Sequence, residues 1–160
     1  YGIDIELEGM VYARPVIPPT RHGSKVKSVD DSLAKSVKGY QGYEILQDPS
    51  DTVQGWVTVL ADTYFGAVKA GNAIKIEYDL GETANVNEQD IISQGETLAR
   101  DKTSGTLVVH KGDIAGAAKN AKTSLESVYK TSSVLHFTME PVNAAVEFKD
   151  GICHVHCGNQ

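Results

Sequence analysis

The feature that most constrains the fold of this chain is an Asp-Gly pair between two alternating runs near the C-terminus. Residues 142–157 read VNAAVEFKDGICHVHC, with Asp150 and Gly151 near their centre. This pair is a strong signal for a two-residue β-hairpin turn, because both turn positions need positive φ. The turn fixes the facing residues, which are Lys149 and Ile152, Phe148 and Cys153, Glu147 and His154, Val146 and Val155, Ala145 and His156, and Ala144 and Cys157.

Successive side chains of a strand point to opposite faces, so this hairpin separates its cysteines from its histidines. The face that carries the cysteines is apolar throughout and consists of Ala144, Val146, Phe148, Cys153, Val155 and Cys157. The opposite face carries His154 and His156, with Glu147 nearby. We therefore expect the cysteines to act as small core hydrophobes.

The same geometry weighs against a metal site or a redox pair. A Cys2His2 zinc site needs four ligands that converge on one ion, and here they split between two faces. Four residues of strand hold the Cα atoms of Cys153 and Cys157 roughly 13 Å apart, beyond the ~7 Å limit for a disulfide. A metal shared by His154 and His156 stays open as an alternative, although no third and fourth ligand is evident.

Composition narrows the class of function. Acidic residues outnumber basic ones by 21 to 15, and the lysines are scattered. This balance argues against nucleic-acid binding, which needs a basic stripe. No apolar run is long enough to span a bilayer, and no signal-peptide pattern is present. The chain begins with Tyr1 rather than Met, which we interpret as an internal segment of a longer protein; the compartment stays open between cytoplasm and periplasm.

Strand and helix signals are interspersed along the chain, which predicts an α+β fold. The predicted strands cover residues 3–7, 10–17, 24–30, 40–47, 56–60, 74–78, 106–110 and the terminal hairpin. Helices are predicted within residues 30–39, 62–73, 85–100 and 112–122. The segment 56–78 is a β-α-β unit, a connection that usually joins parallel strands.

Capping residues place the helix boundaries. Asp30 or Asp31 is the predicted N-cap of the first helix, and Gly39 follows its end. Asp62 is the predicted N-cap of the second helix, and Asp113 that of an Ala-rich helix.

Motifs for self-contained catalysis are missing from the sequence. Neither a G-x-G-x-x-G loop nor a G-x-S-x-G nucleophile elbow occurs. His22 and His110 are isolated, and no carboxylate pair stands out. His136 lies beside the Met-Glu-Pro run that contains Glu140, a composition typical of a strand exit. From the residues alone the chain is an α+β domain without its own active site.

Six stretches, in order, resemble the large subunits of molybdenum hydroxylases, the xanthine dehydrogenase and aldehyde oxidase family. They are GMVYARPVIPP, KVKSVDDSLAKSVKGY, VTVLADTYFGAVKAGNAIKIEYD, KGDIAGAAKNAKTSLESVY, LHFTMEPVNAAV and CGNQ. The spacing is most similar to the large (beta) subunit of isoquinoline 1-oxidoreductase and related bacterial aldehyde dehydrogenases. The chain departs from the family at Lys38, where Pro is common, and at PPTRHG, which replaces a Ser-Pro segment.

The resemblance implies an α/β-hammerhead domain over residues 1–110. Residues 111–160 then form a connecting helix and the first strands of a truncated molybdopterin-binding domain. Family members hydroxylate N-heterocycles or aldehydes with water as the oxygen source. The resemblance therefore implies an oxidoreductase fragment that is an inactive scaffold when isolated, because the catalytic Glu of the family lies further along the chain.

The resemblance also implies one cofactor-binding residue, Gln160. In the family a Gln at this position lies close to molybdenum and can donate a hydrogen bond to its apical oxo group, as an uncharged amide is suited to do. Asn159 stands where Thr is common. The implied cofactor is molybdopterin, as the cytosine dinucleotide, bound in the full-length subunit and not in the fragment. The implied partners are a small subunit with [2Fe-2S] clusters and a small aromatic heterocycle or aldehyde substrate.

Two rival functions stay open. One is a non-catalytic α+β module that binds a ligand or a partner. The other is a metal-binding domain that uses His154 and His156.

Overall fold

The computed structural model describes residues 2–20, 22–101, 103–132, 134 and 136–158. The chain divides into two compact units, one of residues 5–88 and one of residues 89–160 together with residues 1–4. The strands are β1 (Tyr12–Val16), β2 (Lys25–Asp30), β3 (Tyr40–Ile45), β4 (Val57–Ala61), β5 (Lys75–Asp79), β6 (Ala144–Lys149) and β7 (Ile152–Cys157). The helices are α1 (Tyr64–Ala73), α2 (Glu88–Arg100) and α3 (Ile114–Asn120), and short 3-10 helices cover Gly2–Asp4 and Ala34–Ser36. The α+β class is confirmed.

A three-stranded antiparallel sheet organises the unit of residues 5–88. Strand β4 lies in its centre, with β1 on one side and β3 on the other. Pro15 lies in β1, where an edge strand tolerates a residue that has no amide hydrogen. Alternate residues of β4, namely Val57, Val59 and Ala61, are fully buried. Val59 belongs to the core cluster together with Ala34, Ala70 and Ile74, so helix α1 packs against the sheet.

Helix α1 begins one residue later than the sequence predicts. Its N-cap is Thr63, whose hydroxyl accepts a hydrogen bond from the Gly66 amide at 3.1 Å. The prediction that Asp62 caps this helix is wrong, because the Asp62 carboxylate forms a hydrogen bond outside the helix. Its Oδ1 atom accepts a hydrogen bond from Gln41 Nε2 at 2.7 Å, and its amide donates to the Gly39 carbonyl at 2.9 Å.

The prediction of a parallel β-α-β unit over residues 56–78 is also wrong. Strands β4 and β5 flank helix α1 but belong to different sheets. Both edges of β4 are occupied by antiparallel partners, so β5 pairs instead with β2 in a two-stranded antiparallel sheet. Val26 and Val29 are the half-buried positions of β2, as its sequence pattern predicts.

The predicted first helix is only the 3-10 helix Ala34–Ser36, and neither Asp30 nor Asp31 caps it. The Asp30 carboxylate accepts the Ser32 amide in a local turn at 3.0 Å. The Asp31 carboxylate binds Lys35 at 2.8 Å and accepts the Tyr40 hydroxyl at 3.0 Å. These contacts replace the capping interaction.

Two predicted strands do not form. The alternating run 3–7 begins instead with the 3-10 helix Gly2–Asp4, and the Ile3 amide donates to a carboxylate rather than to a strand. Residues 106–110 are irregular and exposed, and no described residue pairs with them as a strand. An apolar run needs a partner strand and a covering layer before it forms a sheet.

The second unit contains α2, α3 and the hairpin of β6 and β7. Helix α2 forms as predicted, despite Gly95 in its middle. The Asp113 cap of α3 is confirmed, since its Oδ1 atom accepts the Gly116 amide at 2.8 Å. In the part of the chain that the structure describes, no helix has both the length and the apolar character to cross a membrane.

Candidate functional site

The terminal hairpin has the register that the Asp-Gly turn predicts. Asp150 has a φ of 54° and Gly151 a φ of 78°, as this turn requires. All six facing pairs are those of the sequence analysis, from Lys149 and Ile152 at the turn to Ala144 and Cys157 at the open end. The cysteines and histidines therefore lie on opposite faces of the hairpin.

The expectation that the cysteines are core residues is wrong for this chain. Cys153 and Cys157 are both exposed, and no disulfide links them. Their apolar neighbours share this exposure, with Phe148 75% exposed and Val155 55% exposed. The side chains thus form an apolar face that the described residues of the chain leave uncovered.

The histidines do not gather into a metal site. His154 and His156 are exposed on the second face of the hairpin, and His22, His110 and His136 are exposed as well. Within residues 2–158, apart from the positions that the structure leaves undescribed, no group of three or more His, Cys, Asp or Glu could hold a metal ion. The metal-binding alternative receives no support from this geometry.

Gln160, the cofactor-binding residue implied by the resemblance, lies outside the described residues, as does Asn159. Gly158, the first residue after β7, is the last residue of this segment that the structure describes. Its surroundings contain Glu140 of the HFTMEP motif.

The Glu140 carboxylate connects three segments that are distant in sequence. Its Oε1 atom accepts a hydrogen bond from the Ile3 amide at 3.2 Å and another from Asn143 Nδ2 at 3.1 Å. Its Oε2 atom faces Gly158, where a Cβ atom would lie 3.2 Å away from it. The N-terminal turn, the start of β6 and the end of β7 therefore meet at one side chain.

Local contacts hold this carboxylate in place. Asn143 Nδ2 also donates to the Pro141 carbonyl at 2.7 Å, and the Thr138 hydroxyl donates to the Glu140 carbonyl. The packing is close at the N-terminal turn, because a Cβ atom on Gly2 would lie only 2.6 Å from Asn143 Oδ1.

The electrostatics favour an ionised carboxylate. Hydrogen bonds from the Asn143 amide and then from the Ile3 backbone hold the pKa of Glu140 below its usual range. Both donors are neutral amides, so they stabilise the charged form without neutralising it. At neutral pH the Glu140 carboxylate is therefore an anion that accepts hydrogen bonds from the Ile3 and Asn143 amides.

Sequence reasoning singled out the Met-Glu-Pro run but assigned Glu140 no role. Asn143 and Gly158 were missed. The hairpin register offered a signal, because continuing it by one residue beyond Ala144 and Cys157 brings Asn143 opposite Gly158. The contact of Ile3 with Glu140 spans 137 residues and has no local signal.

Comparison with known proteins gives one strong relative. The chain is 46% identical over all 160 of its residues to the protein named membrane-bound aldehyde dehydrogenase [pyrroloquinoline-quinone] from Gluconacetobacter polyoxogenes. The match covers 21% of that protein, so this chain spans about a fifth of the length of its relative. No protein-family model matches the chain.

Two solved structures are similar to part of this chain. One is a Cu,Mo-CO dehydrogenase in the carbon monoxide reduced state, and the other is a reconstituted CO dehydrogenase from Oligotropha carboxidovorans. Each is 21% identical to this chain with a TM-score of 0.38, over 49% of this chain and 13% of the other.

Proposed function

We propose that this chain is part of the molybdenum-binding large subunit of an aldehyde-oxidising or N-heterocycle-hydroxylating oxidoreductase. The observation that carries the proposal is the 46% identity over the whole chain to a protein named an aldehyde dehydrogenase. The six motif stretches that resemble molybdenum hydroxylases supply the second support. Within that family the spacing favours the branch of isoquinoline 1-oxidoreductase.

The proposed domain division assigns residues 1–110 to an α/β-hammerhead and residues 111–160 to the entry of the molybdopterin-binding domain. The compact unit of residues 5–88 falls inside the first range. The hairpin, which contains β6 and β7, falls inside the second.

The proposed reaction adds an oxygen from water to a carbon next to oxygen or nitrogen. For an aldehyde, the substrate and one water give a carboxylic acid, two protons and two electrons. The molybdenum cofactor supplies this oxidation when bound, and the electrons leave toward [2Fe-2S] clusters of a partner subunit. The catalytic base lies in a part of the full-length subunit beyond these 160 residues.

This chain contributes no ligand cluster of its own to a metal among its described residues. Its proposed contribution is the Gln160 side chain, which offers an uncharged amide donor to the cofactor. An amide suits this role because it cannot ionise as the charge of the centre changes during turnover.

A quinone-dependent dehydrogenase is the second candidate. It is favoured by the name of the relative, which specifies pyrroloquinoline-quinone. Both candidates oxidise aldehydes, so activity alone does not separate them, whereas cofactor content does. The motif resemblance is the reason to prefer molybdenum.

The proposal is tested on the full-length protein that contains this chain, purified with its native partners. We expect it to oxidise aldehydes or hydroxylate N-heterocycles with an artificial electron acceptor, and to co-purify with an iron-sulfur protein. A protein that is complete within these 160 residues, with no oxidoreductase activity and a defined binding partner, would instead support the non-catalytic module.

A further inference from the structure

The apolar face of the terminal hairpin is more exposed to solvent than the polar face behind it. On β6 the residues of the opposite face, Ala145 and Glu147, are half-buried, whereas Val146 and Phe148 between and beside them are 58% and 75% exposed. All six residues of the apolar face are exposed, namely Ala144, Val146, Phe148, Cys153, Val155 and Cys157. Because burial of apolar surface drives folding, a hairpin with this pattern is expected to pack its apolar face against another layer.

The compact unit that contains the hairpin does not supply that layer. Among the described residues, every buried apolar side chain lies between Ala34 and Ile74, within the unit of residues 5–88. None of the described residues from 89 to 158 is buried. A two-stranded hairpin alone is at best marginally stable in water, and it needs a third strand or a packed helix. The apolar face therefore lacks the layer that its pattern requires.

Helix α2, in the same unit, shows the same shortage. It has no buried residue, although Ile91 and Leu98 lie seven positions apart and so share one face of the helix. Both side chains are at least half exposed. Two elements of this unit thus have a one-sided apolar pattern and no partner for it among the described residues.

The relative of this chain has ample polypeptide to supply a covering layer. The 46% identity extends over all 160 residues, yet the match covers 21% of that protein, so about four-fifths of its length lies outside the match. A covering segment of the same polypeptide acts at an effective concentration on the order of millimolar, above that of a second copy in solution. A segment of the same polypeptide is therefore favoured over self-association as the occupant of the apolar face.

A lipid surface fits the hairpin less well. In the described part of the chain β6 and β7 pair only with each other, so each strand leaves one edge of unpaired backbone groups. Such groups are costly in hydrocarbon, where no water satisfies them. A layer of protein, unlike lipid, offers hydrogen-bond partners to these edges.

We propose that the apolar face of the hairpin is an interface with a segment of the full-length polypeptide that lies outside these 160 residues. That segment presents apolar side chains, because the apolar face carries no charged group that a polar partner would match. This inference rests on the proposed function only for the existence of the longer polypeptide, and no cofactor enters it.

The test treats the full-length protein with N-ethylmaleimide and measures the modification of Cys153 by mass spectrometry. A thiol reacts only where the reagent reaches it. Cys153 faces Phe148 in the hairpin, so we expect it to react about a hundredfold more slowly in the native protein than after unfolding in urea, at every protein concentration. Labelling of native Cys153 at the unfolded rate overturns the proposal. Protection that disappears on dilution also overturns it, because a second copy would then be the occupant.

Lys149→Cys is the matched control, since Lys149 is exposed on the same strand and lies on the opposite face. The introduced thiol should react at close to the unfolded rate. Equal protection of this thiol and Cys153 would contradict an interface limited to the apolar face and would overturn the proposal.

A photo-crosslinker identifies the occupant directly. Phe148 is replaced by benzoylphenylalanine, which keeps an aromatic ring at this position, and the crosslinked peptides are identified by mass spectrometry. We expect a crosslink within one polypeptide, to a peptide outside these 160 residues. A crosslink to the hairpin of a second copy, to another subunit or to lipid overturns the proposal.

Molybdenum content, measured on the same sample, separates this inference from the proposed function. A protected Cys153 in a protein without molybdenum supports the interface and overturns the proposed function. A reactive Cys153 in a protein that contains molybdenum overturns the interface and leaves the proposed function standing.

Discussion

Gly81 crosses Gly23 so closely that a Cβ atom on Gly81 would lie 2.7 Å from the Gly23 carbonyl oxygen. The turn after β5 thereby meets the loop before β2, and both lie at the same end of one antiparallel pair, next to the facing residues Lys25 and Asp79. The Thr20 hydroxyl, which donates to the Leu80 carbonyl at 2.8 Å, adds a hydrogen bond at the same crossing. This crossing holds the β2 and β5 pair closed at one end.

Gly81→Ala is therefore expected to destabilise the unit of residues 5–88. Gly81 has a φ of +67°, which costs a side chain about 1–2 kcal/mol, and the backbone clash adds to it. We expect the free energy of unfolding, measured with urea, to fall by about 3 kcal/mol in total. Gly9→Ala is the matched control, since Gly9 has a φ of +69° but a Cβ atom placed on it would meet no other atom within 4 Å. Equal losses in the two variants would contradict the close crossing.

Thr63→Ala tests which residue caps helix α1. Loss of the hydroxyl that accepts the Gly66 amide should cost about 1 kcal/mol, measured by thermal unfolding. Thr63→Ser keeps the acceptor and should retain most of the stability. Asp62→Ala, at the position that the sequence favours, should have a smaller effect. A larger loss of stability in Asp62→Ala than in Thr63→Ala would show that Asp62 is the N-cap.

The Tyr40 hydroxyl predicts a pH dependence. Burial and the hydrogen bond to Asp31 raise the pKa of Tyr40 to about 12. Because this pKa is higher in the folded state than the unfolded value of about 10, the protonated Tyr40 hydroxyl stabilises the fold, and this stabilisation is fully present below about pH 10. This stability is lost as the pH rises through about 12. Urea unfolding on either side of this window should show the loss in the native chain.

Tyr40→Phe should be less stable than the native chain at neutral pH and should lose less on going to alkaline pH. Tyr129→Phe changes an exposed tyrosine and serves as the control. An alkaline loss of the same size in Tyr40→Phe as in the native chain would rule out this residue as the source.

The apolar face of the hairpin predicts self-association of the 160-residue chain. Val146, Phe148 and Val155 are all more than half exposed, and the hairpin has unpaired strand edges. Sedimentation at rising concentration should show dimers that weaken in Val155→Lys. Lys149→Glu, on the other face, should not weaken them. A monomer at every concentration would contradict this prediction.

Local sequence patterns predicted the terminal hairpin but not the pairing of β5 or the cap of α1. The Asp-Gly turn fixed the register of β6 and β7 because a two-residue loop allows few alternatives. The pairing of β5 with β2 could not be foreseen, because it depends on which edges of β4 the strands β1 and β3 already occupy. Asp62 is the better cap by residue type, and only its contact with Gln41, which no local pattern shows, leaves the cap to Thr63.

The candidate site shows the same limit. The HFTMEP motif contains Glu140, and the hairpin register brings Asn143 opposite Gly158, but the contact of Glu140 with Ile3 spans 137 residues and has no local signature. The cysteine face was correctly identified as apolar, yet burial needs a covering layer, and a strand pattern carries no information about where that layer comes from.

The most direct test of the central claim is the cofactor content of the full-length protein. Elemental analysis of the purified protein and extraction of any quinone from the same sample compare the two candidates in one experiment. We expect about one molybdenum per polypeptide, together with a pterin and no pyrroloquinoline-quinone. Stoichiometric pyrroloquinoline-quinone with no molybdenum would contradict the proposed function.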